Sequence, residues 1–192
     1  MTRLFIGLMS GTSLDGADAV VADLSAPDTP KWLGHAHHLY PDGLKQDLLA
    51  LHHSGHDELH RAQRAGLELT RIYVTVVDKV LNTLGLKPHH ITAIGAHGQT
   101  IRHHPVLQGD VGYTLQLNQP ALLAELTGIC VVADFRSRDI AAGGQGAPLV
   151  PAFHQAIWGD PTRAIAALNL GGIANLSLMS PDQRLLGFDC GP

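Results

Sequence analysis

Apolar residues enter this chain first as short runs broken by small polar turns. Leu4 to Met9 and Ala17 to Leu24 are apolar, partly β-branched runs that flank Met9-Ser10-Gly11-Thr12-Ser13-Leu14-Asp15-Gly16. With Lys31 to Tyr40 as a third strand, they predict an antiparallel meander. Leu44, Leu48 and Leu51 then fall at helical spacing across Gly43 to Leu51. A longer helix is predicted from Asp57, a candidate N-cap, to Gly85, a candidate terminator. Leu59, Ala62, Leu69, Ile72, Val76 and Val80 recur at intervals that place them on one stripe facing a core. Pro88 blocks continuation.

From Ile91 the pattern changes. Ile91 to Gly95 reads as a short buried strand that empties into Ala96-His97-Gly98-Gln99-Thr100, and Tyr113 to Leu117 as another. Asn118-Gln119-Pro120 opens a helix with proline in its first turn and Gly128 just past its end, and Ile129 to Ala133 is a further buried strand. Strands alternating with helices predict parallel pairing in this part of a mixed sheet. Asp134 to Leu149 is a charged, glycine-rich segment, and Pro151 to Trp158 is predicted helical. Arg163 to Leu170, Gly171-Gly172 and Ile173 to Met179 then repeat the opening theme of strand, small-residue turn and strand, and Leu185 to Phe188 begins a third strand. A duplicated α/β fold follows, a mixed sheet flanked by helices. A first domain over 1–133 and a linker, helix and truncated second domain over 134–192 are expected.

Composition narrows the classes. The 192 residues are 45% hydrophobic and 16% charged, too apolar for disorder, and the formal charge is -4, which offers no basic face to a nucleic-acid backbone. The first apolar run is too short for a signal peptide or a membrane span. Two cysteines, Cys130 and Cys190, make no disulfide framework, so a reducing cytoplasm is expected. Thirteen histidines include His56-Asp57-Glu58-Leu59-His60, superficially like a zinc-protease helix, but that motif needs glutamate directly after the first histidine.

A hairpin turn rich in glycine and hydroxyls can direct backbone N–H groups at an anion, phosphate being the natural guest. Asp15 would repel a bare phosphate, so it implies a divalent cation between them and a magnesium nucleotide as ligand. The turn is no P-loop, because it lacks the lysine and the helix. The alternative, a tight turn whose polar groups satisfy their own backbone, stays open for either turn alone. The second turn, Asn169 to Asn175, weighs against it.

The specific words go further. GLMSGTSLDGAD at the start, AHGQT at 96–100, DFRSRDIAAGGQGAPLVPAFH at 134–154, LNLGGIANL at 168–176 and GFDCGP at 187–192 closely resemble the anhydro-N-acetylmuramic acid kinases of bacterial peptidoglycan recycling. The resemblance implies the actin-like, ribonuclease-H-like duplicated fold shared with sugar kinases and heat-shock ATPases. It implies a cytoplasmic enzyme that takes 1,6-anhydro-N-acetylmuramic acid, ATP and water to N-acetylmuramic acid 6-phosphate and ADP. By match to the family motifs, Gly11, Thr12, Ser13, Leu14, Asp15, Gly16, Ala17 and Asp18 would line the ATP phosphates with Asn169, Gly171 and Gly172 from the second turn. Asp15 would act on Mg2+, directly or through water. Asp189 would be the general base. Where the family usually has threonine, this sequence has Cys190, a poorer hydrogen-bond donor but a near-neutral packing replacement. The resemblance also hints at a homodimer.

Arg136 and Arg138 are two apart, so an extended loop would point both to one side, where they could grip the lactyl carboxylate of a muramic acid. Local ion pairs with Asp134 and Asp139 are the competing reading. His97 and Gln99, just past a buried strand, are candidate sugar contacts. The rival functional class is a non-catalytic actin-like nucleotide-binding module or an inactive truncated fragment. Residues 1–192 supply no complete adenine pocket, so inactivity of the fragment by itself is expected.

Overall fold

The structure is a computed structural model that describes residues 3–26, 29–107 and 110–191. Pro192, the last residue of the GFDCGP block, lies outside these. The chain divides into two compact units, Met1–His103 with Leu115–Asp134, and His104–Thr114 with Phe135–Pro192.

The first unit is built on a five-stranded mixed sheet. β1 (Leu4–Met9), β2 (Gly16–Asp23) and β3 (Lys31–Leu39) form the expected antiparallel meander, and β4 (Ile91–Ala96) joins β1 in parallel. Helices α1 (Asp42–Ala50) and α2 (Glu58–Leu84) lie between β3 and β4. β5 (Gln99–Leu107) and β6 (Asp110–Leu117) make a separate two-stranded ribbon, and α3 (Pro120–Thr127) leads to β7 (Val131–Ala133), parallel to β4. The sheet order is β3-β2-β1-β4-β7. One hydrophobic core joins Ile6, Leu8 and Val21 of the sheet to Leu69, Tyr73, Val76 and Val80 of α2 and Leu123 of α3.

Two expectations for α2 need correction. Asp57 occupies the N-cap position but in a left-handed conformation, φ 52°, with no side-chain capping bond. Leu59, expected in the buried stripe, is 84% exposed, whereas Ala62, Leu69, Ile72, Val76 and Val80 are buried. Periodicity reports an angle around the helix; burial also needs a partner surface at that turn. Gly85 does end the helix with φ 65°.

The β5–β6 ribbon is longer than the single strand Tyr113–Leu117 expected there. Arg102, His103, His104 and Pro105 carry no apolar alternation, because a two-stranded ribbon need not bury a face. Gly112 is required by close approach: a β-carbon there would fall on the backbone of His104 and Pro105.

In the second unit, α4 (Ser137–Ala141) and α5 (Pro151–Trp158) precede an antiparallel meander of β8 (Ile165–Asn169), β9 (Ala174–Met179) and β10 (Leu185–Gly191), ordered β10-β9-β8. This repeats the β3-β2-β1 arrangement, as the duplicated pattern predicts. α5 packs on the meander, with the His154 Nδ1 and Ser177 Oγ atoms 2.9 Å apart and the Trp158 ring stacked on His154. A β-carbon on Gly187 would fall on Pro151, so glycine is what lets this helix approach β10.

Candidate functional site

The turn between β1 and β2 is closed by the Leu14 N–H donating to the Gly11 carbonyl at 3.2 Å. Leu14 takes φ 57° while its side chain is buried in the core. A left-handed leucine costs roughly 1–2 kcal/mol, so core packing holds this turn in a conformation its own sequence does not favour. Thr12, Ser13 and Asp15 are exposed at its tip, while Ala17 is fully buried. Leu14 and Ala17 therefore have only backbone to offer a ligand.

Three members of this segment have structural duties. Ser10 is 2% exposed and directs its hydroxyl inward to the Gly98 carbonyl at 3.0 Å, with the Tyr73 hydroxyl 2.9 Å away. Gly16 lies against β3: a β-carbon there would fall on the His38 carbonyl and meet the His37 ring. The Asp18 carboxylate accepts from His35 Nε2 at 2.8 Å and His37 Nδ1 at 3.0 Å, all three on one face of the β2–β3 pair. The Tyr40 N–H holds the Asp15 carbonyl at 3.2 Å, leaving the Asp15 side chain exposed.

The AHGQT block meets the same turn. The His97 N–H donates to the Leu8 carbonyl at 3.1 Å, and Gln99 Nε2 donates to the Gly11 carbonyl at 3.2 Å. His97 and Gln99 are both buried, and the Gln99 Oε1 atom is buried without a hydrogen-bond partner among the described residues. Gly98, at φ 81°, has no room for a β-carbon beside the Leu117 carbonyl. Sequence reasoning missed Tyr73, which reads as one more core position of α2; burial pushes its phenol up to about 12, so it remains a hydrogen-bond donor at neutral pH. It also missed Asn118, whose Nδ2 donates to the Ala96 carbonyl at 3.2 Å. Its only signal was its place before Gln119-Pro120.

In the second unit, register gathers residues that the chain separates. Asn169 pairs with Asn175, and Asn175 with Asp189, so the three form a row across β8, β9 and β10. Ser177 and Gly187, which touch α5, are two residues further along β9 and β10, so strand alternation puts the row on the face that carries α5. The Asn175 Oδ1 atom is buried with no partner among the described residues. Gly171 and Gly172 are exposed in the turn beyond it. Cys190 sits, exposed, at the register shift between Asp189 and Gly191.

Arg136 and Arg138 do not lie in an extended loop. Ser137–Ala141 is helical with Arg136 at its N-cap, and helical residues two apart point about 200° apart rather than to one side. Arg136 is partly buried and donates from Nη1 to the Gly146 carbonyl at 2.6 Å; Arg138 is exposed. Burial lowers the Arg136 pKa from its usual value, and the nearby Asp189 carboxylate opposes that shift by favouring the guanidinium charge. Asp139 accepts the Gly146 N–H at 2.7 Å, closing the loop over Gly144.

Glu58, within the histidine-rich stretch, pairs with Arg102 at 2.6 Å. No group of three or more His, Cys, Asp or Glu side chains that could hold a metal ion occurs among the described residues, and none of their helices is long and apolar enough to cross a membrane. Magnesium in nucleotide sites is commonly held by one or two carboxylates plus phosphate oxygens, a mode that the exposed Asp15 fits.

A family model described as anhydro-N-acetylmuramic acid kinase matches residues 3–192. A protein of that name from Bordetella petrii is 60% identical over 190 residues, covering 99% of this chain and 49% of the relative. Another from Neisseria meningitidis serogroup C is 54% identical over 194 residues, covering 100% and 51%. The chain thus spans about half the length of the curated relatives it matches. A solved structure, the reductive activator for corrinoid, iron-sulfur protein, aligns with TM-score 0.50 and 13% identity over 99% of this chain and 30% of its own, a likeness of fold alone.

Proposed function

Since the chain belongs to the anhydro-N-acetylmuramic acid kinase family, we propose that the protein, at the length of its relatives, opens the 1,6-anhydro ring of anhydro-N-acetylmuramic acid and phosphorylates O6 from ATP. The observation that carries this reading is the row Asn169-Asn175-Asp189, which sets a carboxylate beside the second glycine turn with Arg136 near enough to influence it. Asp189 takes a proton from water as the water oxygen bonds to the anomeric carbon. The C1–O6 bond breaks, O6 bonds to the γ-phosphorus, and ADP leaves. A positioned base contributes about 10²- to 10⁴-fold in rate.

The tip of the first turn, Gly11 to Asp15, is read as a phosphate-holding turn of the first unit, and the turn at Asn169, Gly171 and Gly172 as one of the second. Asp15 holds magnesium, which neutralises phosphate charge when bound with the nucleotide. Gly16, Ala17 and Asp18 serve that site from behind. His97 and Gln99 contact the sugar, and Arg136 and Arg138 act separately, with Arg136 the better placed for the substrate carboxylate. Residues 1–133 and 134–192 are read as the first domain and the start of the second, in a cytoplasmic protein that pairs as a homodimer and binds neither nucleic acid nor membrane.

The test is a mass-spectrometric product assay on anhydro-N-acetylmuramic acid in ¹⁸O-water with the full-length protein, wild type against Asp189→Asn. The expected product carries one ¹⁸O at C1 and one phosphate, and the variant makes neither while keeping its nucleotide affinity. ATP turnover that is equal with and without the sugar overturns the assignment.

A further inference from the structure

A chain of hydrogen bonds runs from α2 to the sugar-side loop. The Ser10 hydroxyl donates to the Gly98 carbonyl at 3.0 Å, so its single proton is spent. The Tyr73 hydroxyl, 2.9 Å from Ser10 Oγ, is therefore the donor of that pair. His97 Nδ1 lies 2.6 Å from the same Gly98 carbonyl, and because a carbonyl only accepts, Nδ1 carries the proton. The Gly98 oxygen thus takes two donors, one for each lone pair. Every member is buried: Ser10 is 2% exposed, Tyr73 0% and His97 6%.

We propose that Ser10 and Tyr73 are positioning residues that fix the orientation of the Gly98 peptide, and through it the Nδ1–H tautomer of His97. In a neutral imidazole this makes Nε2 the acceptor nitrogen, so the ring accepts hydrogen bonds from hydroxyl or amide N–H groups, which an N-acetylated sugar supplies. Gly98 is the pivot, because its φ of 81° belongs to a residue whose peptide could otherwise turn freely. Gln99 Nε2 on the Gly11 carbonyl gives a second tie in the opposite direction, so the loop 97–99 and the turn at 10–11 move as one piece. With Ser10 or Tyr73 replaced, the Gln99 tie to Gly11 remains, so the phosphate turn keeps its place. The part concerning sugar rests on the function proposed above; the tautomer does not.

The experiment uses the full-length protein with Ser10→Ala and Tyr73→Phe, the second removing only one oxygen. Long-range ¹H–¹⁵N correlation spectra of the ligand-free protein read the His97 tautomer, and kinetics read KM for anhydro-N-acetylmuramic acid and for ATP separately. The wild type is expected to show Nδ1–H. Both variants are expected to shift His97 toward Nε2–H, raise the sugar KM about three- to tenfold, the scale of one lost hydrogen bond, and leave the ATP KM within twofold. An unchanged tautomer in Tyr73→Phe overturns the positioning role. A shifted tautomer with unchanged sugar KM overturns the link to recognition. A wild type with the expected tautomer but no turnover of this sugar supports the network and overturns the proposed function instead.

Discussion

The His37 ring lies against the bare α-carbon of Gly16, its Cε1 atom 2.7 Å from where a β-carbon would stand. The His38 carbonyl blocks the same space. Gly16→Ala is therefore expected to lose about 1–3 kcal/mol of stability by forcing β2 and β3 apart. Chemical denaturation without nucleotide checks this. A glycine kept only for phosphate approach would leave that stability within about 0.5 kcal/mol.

Leu69 is fully buried, while Leu59, ten residues earlier on the same helix, is 84% exposed. Leu69→Ala is expected to cost about 2–5 kcal/mol, and Leu59→Ala to stay within about 0.5 kcal/mol. Equal losses in urea titration would mean that α2 buries its first turn as well.

Arg136 Nη1 donates to the Gly146 carbonyl, whereas Arg138 is exposed on the other side of a helical turn. Arg136→Ala is expected to lower stability by about 1.5–3 kcal/mol, the worth of a charged hydrogen bond, and also to weaken sugar binding. Arg138→Ala is expected to leave stability unchanged. Calorimetric titration of both variants separates the two roles, and identical behaviour would restore the extended loop with both side chains on one side.

Asp160 accepts from the Thr162 hydroxyl at 2.6 Å, the Thr162 N–H at 2.8 Å and Arg163 Nε at 2.9 Å. The Thr162 hydroxyl first, then its N–H and the arginine, lower the Asp160 pKa below 3.8. Since the folded value is the depressed one, the stabilisation is present above 3.8 and is lost as pH falls through the folded pKa. Thr162→Val is expected to raise the Asp160 pKa toward 3.8 in a carboxyl ¹³C titration. No movement would assign the shift to the backbone N–H of residue 162 and to Arg163, which the substitution leaves in place.

Much of the fold was legible because its signals are local. The apolar runs around residues 4–9 and 17–24, Pro120 with Gly128, and Pro151 to Trp158 all became the elements expected of them. β5, the start of β6 and the helix at Ser137–Ala141 were not legible, since none of them buries enough surface to leave a periodic pattern. The candidate site was legible as words but not as an arrangement. Ser10 looked like one more turn hydroxyl and proved to be buried against Tyr73, and Asp18 proved to be held by His35 and His37.

By itself, the sequence determined the order of strands and helices, the two glycine turns and the family, because strand alternation, helix punctuation and motif words all lie within a few residues of one another. Only the tertiary structure decided which polar groups face inward and which residues become neighbours. Asn169, Asn175 and Asp189 share one row because β8, β9 and β10 pair in one register. Ser10, Tyr73 and His97 meet because α2 packs on the sheet between β3 and β4. Both are long-range choices, set by which apolar faces bury each other, and no short window of sequence contains them.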